Sequence, residues 1–316
     1  MNPVLSDIVR QLKSAGRITA DDVIAMRREV YGAPEMARED VEALIALDQA
    51  VSDAPPEWGG FVADAMVDYV VHQQDPEDFV DDAKAAWLTS ACAGPLTRQG
   101  GLEALVRVLE TASSAPEALE RFVLGKVKAA VVATGRLAAE DVALIRRLVF
   151  AGASEGAIGV TREEADALFD IDEACGANAD PAWPPFFAQA IDDVLTAVSP
   201  FHLESRGDAQ RDEAWLASRP GVFDFFKQMA ARPDLGGALG DIFHPNEGER
   251  REWEGPEAQM QADEAAAAPI TDEEADWLMK RLGNGPLSAA GQALAERLKA
   301  QVPEAGARLK PLIDAA

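Results

Sequence analysis

The chain has 316 residues, 48% of them hydrophobic and 27% charged, a composition typical of a folded protein with two or three domains. Its 29 Lys and Arg against 55 Asp and Glu give a formal net charge of −26. This charge argues against binding to nucleic-acid phosphates or anionic lipid, and it favours basic protein surfaces or cations as partners.

The cellular compartment is indicated by what the sequence lacks. Its two cysteines have no CxxC spacing, which argues against a disulfide framework or a thiolate zinc site and favours a reducing compartment. The opening MNPVLSDIVRQLKSAGR lacks the apolar core of a secretory signal, and no run of about 18 apolar residues is present. We therefore expect a cytoplasmic protein without a membrane span.

Three stretches begin with similar residues: ITADDVIAMRREVYG from Ile18, LAAEDVALIRRLVFA from Leu137 and ITDEEADWLMKRLGN from Ile270. In the first, Thr19 can cap the amides of the next turn, and an acidic residue three positions later completes a capping box. Apolar residues then recur at helical spacing. The second copy has Ala138 at the capping position, which predicts a weaker helix start.

The first two copies keep matching beyond this helix. REDVEALIALD from Arg38 matches REEADALFDID from Arg162, and Trp58 and Trp183 begin further matching segments. We therefore predict an internal duplication of a unit of roughly 120 residues. Its first part, module A, covers 16–74 and 135–200.

The third copy matches a later part of the unit, because WLTSACAGPLTRQG at Trp87 resembles WLMKRLGNGPLSAAG at Trp277. No alternating strand pattern appears, so we predict an all-α fold of tandem duplicated helical modules with short connections and a C-terminal helical hairpin. The predicted domains are a first repeat over 1–134, a second repeat over 135–244 with a degenerate later part, an acidic flexible linker over 245–268, and a C-terminal partial repeat over 269–316.

Four carboxylates recur at matching positions of the two A modules: Asp48, Asp172, Asp68 and Asp193. Carboxylates without histidine suit hard cations, so one hypothesis assigns these four as ligands of a divalent cation. The alternative is that they act as helix caps or form salt bridges with the arginine pairs 27–28 and 146–147.

Tryptophans also recur at matching points of the modules: Trp58, Trp183, Trp87, Trp215 and Trp277. We interpret them as the large core residue of each module rather than as a row of partner anchors. Trp253 differs, because it is a lone aromatic residue in the acidic segment 245–268. It is a candidate docking anchor for a partner, with a local packing contact as the alternative.

Signals for catalysis are weak. The three histidines do not correspond between modules and belong to no HExxH pattern, and GxGxxG, Walker A and GxSxG motifs are absent. Gly-Gly pairs begin at Gly59, Gly100 and Gly236, and we interpret them as isolated turns. We expect a non-enzymatic protein without an organic cofactor.

Three stretches share a short Gly-containing turn that leads into a helix: GPLTRQGGLEALV, GAIGVTREEADALF and GNGPLSAAGQAL. In this the chain resembles TerB-type helical domains of the tellurite-resistance group. Such domains are all-α, acidic and bacterial, and the resemblance implies a stress-associated scaffold or a cation-binding role. This sequence departs from the pattern at Ala93 and Asn284, where the acidic residue before the turn glycine is missing.

Three functions remain open on the sequence. The first is a scaffold that binds a basic protein through its acidic surface. The second is cation binding through the four repeated carboxylates. The third is a small-molecule site in a groove between the two A modules.

Overall fold

The computed structural model describes residues 2–32, 35–151, 160–196, 270, 272–283 and 286–301. The chain divides into two units, Met1–Leu195 with Asp272–Ala316, and Thr196–Thr271. The following concerns the first unit, because almost all of the second lies outside the described residues.

This unit is all-α, and the described residues contain isolated β-bridges but no β-strand. The first six helices are α1 Pro3–Ala15, α2 Ala20–Val30, α3 Arg38–Asp48, α4 Pro56–Val67, α5 Asp82–Ala91 and α6 Glu103–Thr111. The next six are α7 Glu117–Val132, α8 Ala139–Ala151, α9 Arg162–Cys175, α10 Trp183–Thr196, α11 Asp272–Leu282 and α12 Ala289–Gln301. Short π-helical segments follow α4 (Asp68–Gln73) and precede α6 (Arg98–Leu102).

The predicted capping box at the start of α2 is confirmed. The Thr19 hydroxyl accepts from the Asp22 amide at 3.3 Å, and the Asp22 carboxylate accepts from the Thr19 amide at 2.9 Å. Thr161 and Glu164 form the same box at the start of α9. Both boxes satisfy amides that the first helical turn leaves without partners. Thr271, at the start of the third opening, lies outside the described residues.

Helix α7 ends at Val132, three residues before Gly135. Gly135 has φ 62°, and Gly16 after α1 has φ 70°, both in the left-handed region that glycine adopts without strain. Each glycine is followed by an arginine and then by a buried aliphatic residue, Ile18 or Leu137. The matching glycines therefore show which residues of α1 correspond to which residues of α7 when the two halves are compared.

The helices form two layers. In one layer the odd-numbered helices α1, α3, α5, α7 and α9 contact one another in succession, and in the other α2, α4, α6 and α8 do the same. The second half of this unit, from α7 to α12, continues both layers. The indole of Trp277 on α11 donates to Asp166 on α9, and Arg297 on α12 pairs with Asp192 on α10. Successive helix pairs therefore stack along one axis, as in helical repeat proteins.

Three of the five recurring tryptophans lie in the core. Trp58 is 1% exposed, Trp183 is 0% exposed and Trp87 is 9% exposed, whereas Trp277 is half-buried. The interpretation as core residues is confirmed for the three buried tryptophans. Trp215 and Trp253 lie outside the described residues.

The contacts of the two halves recur, but the closing helix pair comes from different places along the chain. In the first half the closing pair is α5 and α6, which follow α4 directly and pack on α3 and α4. In the second half the closing pair is α11 and α12, which pack on α9 and α10. Residues 197–269, including the segment that we predict to be degenerate, lie outside the described residues. The division into two repeats, a linker and a partial repeat therefore stays a prediction.

Candidate functional site

The carboxylate of Asp48 lies at the centre of a buried junction between three helical segments. Asp48 is the last residue of α3 and is 2% exposed. It accepts from the Trp58 indole at 3.0 Å, the Thr97 amide at 2.9 Å and the Gly101 amide at 3.0 Å, and also from the Thr97 hydroxyl. With four donors, a buried carboxylate is compensated without a cation.

The Gly100–Gly101 pair makes this junction possible. A Cβ at Gly100 would lie 2.0 Å from Asp48 Oδ1, and one at Gly101 would lie 2.8 Å from Oδ2. The first distance is far shorter than any van der Waals contact, so only glycine lets this backbone approach the carboxylate. The interpretation of Gly59 and Gly100 as isolated turns is therefore wrong, because Gly59 lies within α4 and Gly100 lies in a π-helical segment packed on Asp48. Gly236 lies outside the described residues.

Asp172 lies at the matching position on α9 and has matching partners. It accepts from the Trp183 indole at 2.8 Å and from the Ser288 hydroxyl at 2.7 Å. The Gly291 amide donates to Ser288 Oγ at 3.0 Å, as the Gly100 amide donates to the hydroxyl of Thr97 at 3.0 Å. Ser288 in the second half thus takes the place that Thr97 has in the first half.

A second pair of contacts recurs beside these junctions. The Trp87 indole donates to Glu42 at 2.7 Å, and the Trp277 indole donates to Asp166 at 3.0 Å. Guanidinium groups cover both indole rings, at 5.1 Å for Arg38 and 4.0 Å for Arg162. Each helix pair is therefore attached to its neighbour by the same combination of hydrogen bond and cation–π contact.

The other two predicted ligands have different surroundings from each other. Asp68 accepts from the Tyr31 hydroxyl at 2.6 Å, and burial together with this carboxylate raises the pKa of Tyr31 far above its usual value. Burial raises the pKa of Asp193, with a further contribution from the charge of Asp192 and an opposing one from Arg297. The two halves therefore do not use this pair of carboxylates in the same way.

The described residues contain no group of three or more His, Cys, Asp or Glu side chains placed to hold a metal ion, so they give the cation hypothesis no support. It stays a prediction. The salt-bridge alternative is wrong for Arg27 and Arg147. Arg27 pairs with Asp64, and Arg147 pairs with Glu103 and Glu110.

An ion pair that the sequence did not indicate joins the two halves. Asp141, at the start of α8, is 2% exposed, and its carboxylate lies 2.8 Å from the Arg98 guanidinium. Asp141 also accepts from the amide of Ala138 at 2.9 Å, so this half of a capping box is present although Ala138 has no side-chain acceptor for the other half. Arg98 and Asp141 are 43 residues apart, and no periodic pattern links them.

Several cavities lie within the described part of this unit, including one of 490 Å³ between α1 and α3 and the following two. One, of 590 Å³, lies between the segments 48–59 and 95–99, next to Asp48, with Ala130 also contributing. The other, of 280 Å³, lies between α6, α7, α8 and α9. Neither cavity is lined by both A modules, so neither is the predicted groove between them.

Comparison with protein-family models, curated proteins and solved structures finds no significant match. Within the described residues, no helix has both the length and the apolar character required to cross a membrane.

Proposed function

We propose that the chain is a non-enzymatic helical scaffold that binds a basic protein through its acidic surface. The observation that carries the proposal is the stacking of successive helix pairs in two layers, from α1 to α12. Such stacks offer long surfaces made of neighbouring helices, which helical repeat proteins use to hold partners.

The use of the repeated polar residues supports this proposal. Asp48 and Asp172 join helices to one another, and the tryptophans beside them are buried in the core. The most regular polar features of the chain thus act in holding the stack together. The surface that remains available to a partner is the exposed side of the helices, on a chain with a net charge of −26.

Charge gives the class of partner. A surface with this excess of carboxylates attracts basic proteins and accelerates their association, and salt weakens the attraction. The resemblance of the Gly-containing turns to TerB-type domains adds a stress-associated, bacterial setting to the proposal. Two of those turns, GPLTRQGG and GNGPLSAAG, are the segments that carry Thr97 and Ser288.

The test is capture of partners on the immobilised full chain, followed by direct binding of each purified candidate at low and moderate salt. We expect a basic protein whose affinity falls as salt rises, because the Debye length shortens from about 30 Å at 0.01 M to about 8 Å at 0.15 M. A chain that recovers no protein in this salt-sensitive manner, or only acidic ones, would overturn the proposal.

A further inference from the structure

The 280 Å³ cavity between α6, α7, α8 and α9 has an apolar floor. Leu109, Leu124 and Leu148 form it, and each is between 3% and 7% exposed. This volume is slightly below the range of about 300–1,000 Å³ that is usual for small-molecule pockets. The cavity therefore has room for a single large apolar side chain rather than for a whole cofactor.

The rim of the cavity is charged, with carboxylates in excess. Four glutamates and two arginines contribute to it: Glu117, Glu120, Glu163, Glu164, Arg121 and Arg162. Both arginines are already engaged. Arg121 pairs with Glu117 and Glu163, and Arg162 lies over the Trp277 ring. The remaining field at the opening is negative and attracts cationic groups.

At the corresponding place in the first half, hydrogen bonds join three of the matching residues. The Asn2 amide donates to Asp40 at 2.9 Å, and its side chain donates to the Glu29 carboxylate at 2.9 Å. Counting from the matched glycines and helix starts, these three residues correspond to Arg121, Glu164 and Leu148. A polar contact in one half is thus replaced by an open, leucine-lined cavity in the other.

We propose that this cavity, defined by the Leu109, Leu124 and Leu148 floor, docks one aliphatic or aromatic side chain carried on a basic peptide segment of a partner protein. The inference rests on the proposed scaffold function and specifies where the partner is held. The apolar floor supplies most of the affinity, and the glutamate rim selects Lys and Arg on either side of the anchor.

The probe is a fluorescein-labelled peptide of lysines and serines with a central phenylalanine, and its binding to the full chain is measured by anisotropy at low salt. Replacing the central phenylalanine with serine should weaken binding by about tenfold or more, because the buried apolar contact is lost. A peptide with glutamates in place of the lysines should not bind.

Variants of the chain locate the site. Leu124→Trp fills the cavity and should weaken binding of the phenylalanine peptide by about tenfold. The volume-conserving Leu124→Met should leave the affinity for this peptide within about twofold of the unmodified chain. Glu117→Lys at the exposed rim should also weaken binding, while Glu35→Lys changes net charge equally at a different exposed position and should have less effect. Because Glu117 is exposed, its variant tests the site even if Leu124→Trp does not fold.

Other results would overturn the proposal. Full binding by both Leu124→Trp and Glu117→Lys would mean that general charge attraction holds the peptide. Binding that appears only after Ile158→Ser would mean that the chain's own segment 152–159 fills the cavity. A dimer that Leu124→Trp abolishes would assign the cavity to a second copy. In each case salt-sensitive binding of a basic partner elsewhere would leave the scaffold function intact, whereas its loss would remove that function as well.

Discussion

Replacing Asp48 with asparagine tests the role assigned to the buried junction. The amide keeps the shape of the side chain but exchanges one acceptor oxygen for a donor NH₂. If the NH₂ replaces Oδ2, the Thr97 and Gly101 amides lose their acceptor, and if it replaces Oδ1, the Trp58 indole loses its own. Since each buried donor left unsatisfied costs about 1–3 kcal/mol, we expect Asp48→Asn to lower the free energy of unfolding by about 2–4 kcal/mol.

Asp172→Asn is the matched control. Asp172 is less buried and, among the described residues, accepts from the Trp183 indole and the Ser288 hydroxyl. An asparagine oxygen can keep the indole bond, while its NH₂ donates to a hydroxyl that turns to accept. The expected loss is therefore about 1 kcal/mol or less.

Both variants are compared with the unmodified chain by urea unfolding, followed by far-ultraviolet circular dichroism and tryptophan fluorescence. The informative quantity is the difference between the two losses at the same pH, in transitions with unchanged slopes. Equal losses, or a loss below about 1 kcal/mol for Asp48→Asn, would refute the argument that buried donor count sets the stability of these junctions.

Four further outcomes are expected. Gly100→Ala should lower the urea midpoint sharply, because its Cβ would lie 2.0 Å from Asp48. Gly60→Ala, at an exposed position of α4, meets nothing within 4 Å and should stabilise by about 0.5–1 kcal/mol. Asp193→Asn should raise the melting temperature at neutral pH. A raised folded-state pKa makes the ionised carboxyl destabilising, so this gain should fade as pH falls through the raised folded-state pKa and be gone below the unfolded pKa of about 3.9. Burial raises the pKa of the Cys92 thiol to about 12, so a thiol reagent at neutral pH should label Cys92 only after urea is added. Calorimetric titration with Ca²⁺ or Mg²⁺ should show no binding heat that depends on Asp48, because its oxygens already accept four hydrogen bonds. A saturating heat that is lost in Asp48→Asn would support the cation hypothesis.

The local signals in the sequence were sufficient for the all-α class. The capping pair Thr19–Asp22, the left-handed Gly135 and the helical spacing of apolar residues all act within one or two turns of a helix. Interactions of that range leave a direct pattern along the chain, so they can be predicted without knowledge of the fold. The recurring tryptophans followed from the same reasoning, because a large residue repeated in each module is best accommodated in a core.

The contacts that join the segments could not be predicted in this way. Asp48 meets Thr97 and Gly101, which are 49 and 53 residues further along the chain, and Arg98 meets Asp141. Such pairs have no period, and a carboxylate at a helix end looks the same whether it meets an amide, an arginine or a cation. The recurrence of Asp48 at Asp172 was the useful signal. It indicated a shared role without showing that the role is a hydrogen-bonded junction.

The two junctions also explain how the same helix pair can close both halves across very different connections. The first half passes from Gln73 to α5 at Asp82, whereas the second passes from α10 at Thr196 to α11 at Asp272. Loop-closure entropy grows only with the logarithm of the length of a connection, at about 0.6 kcal/mol for each doubling, so by this contribution the longer connection costs only about 2 kcal/mol more. Against this cost, α11 and α12 regain the hydrogen bonds of Trp277 and Ser288 and the ion pair of Arg297. The residues that position the closing pair therefore lie within the pair and its docking helices, and the length of the intervening chain is a minor energetic factor.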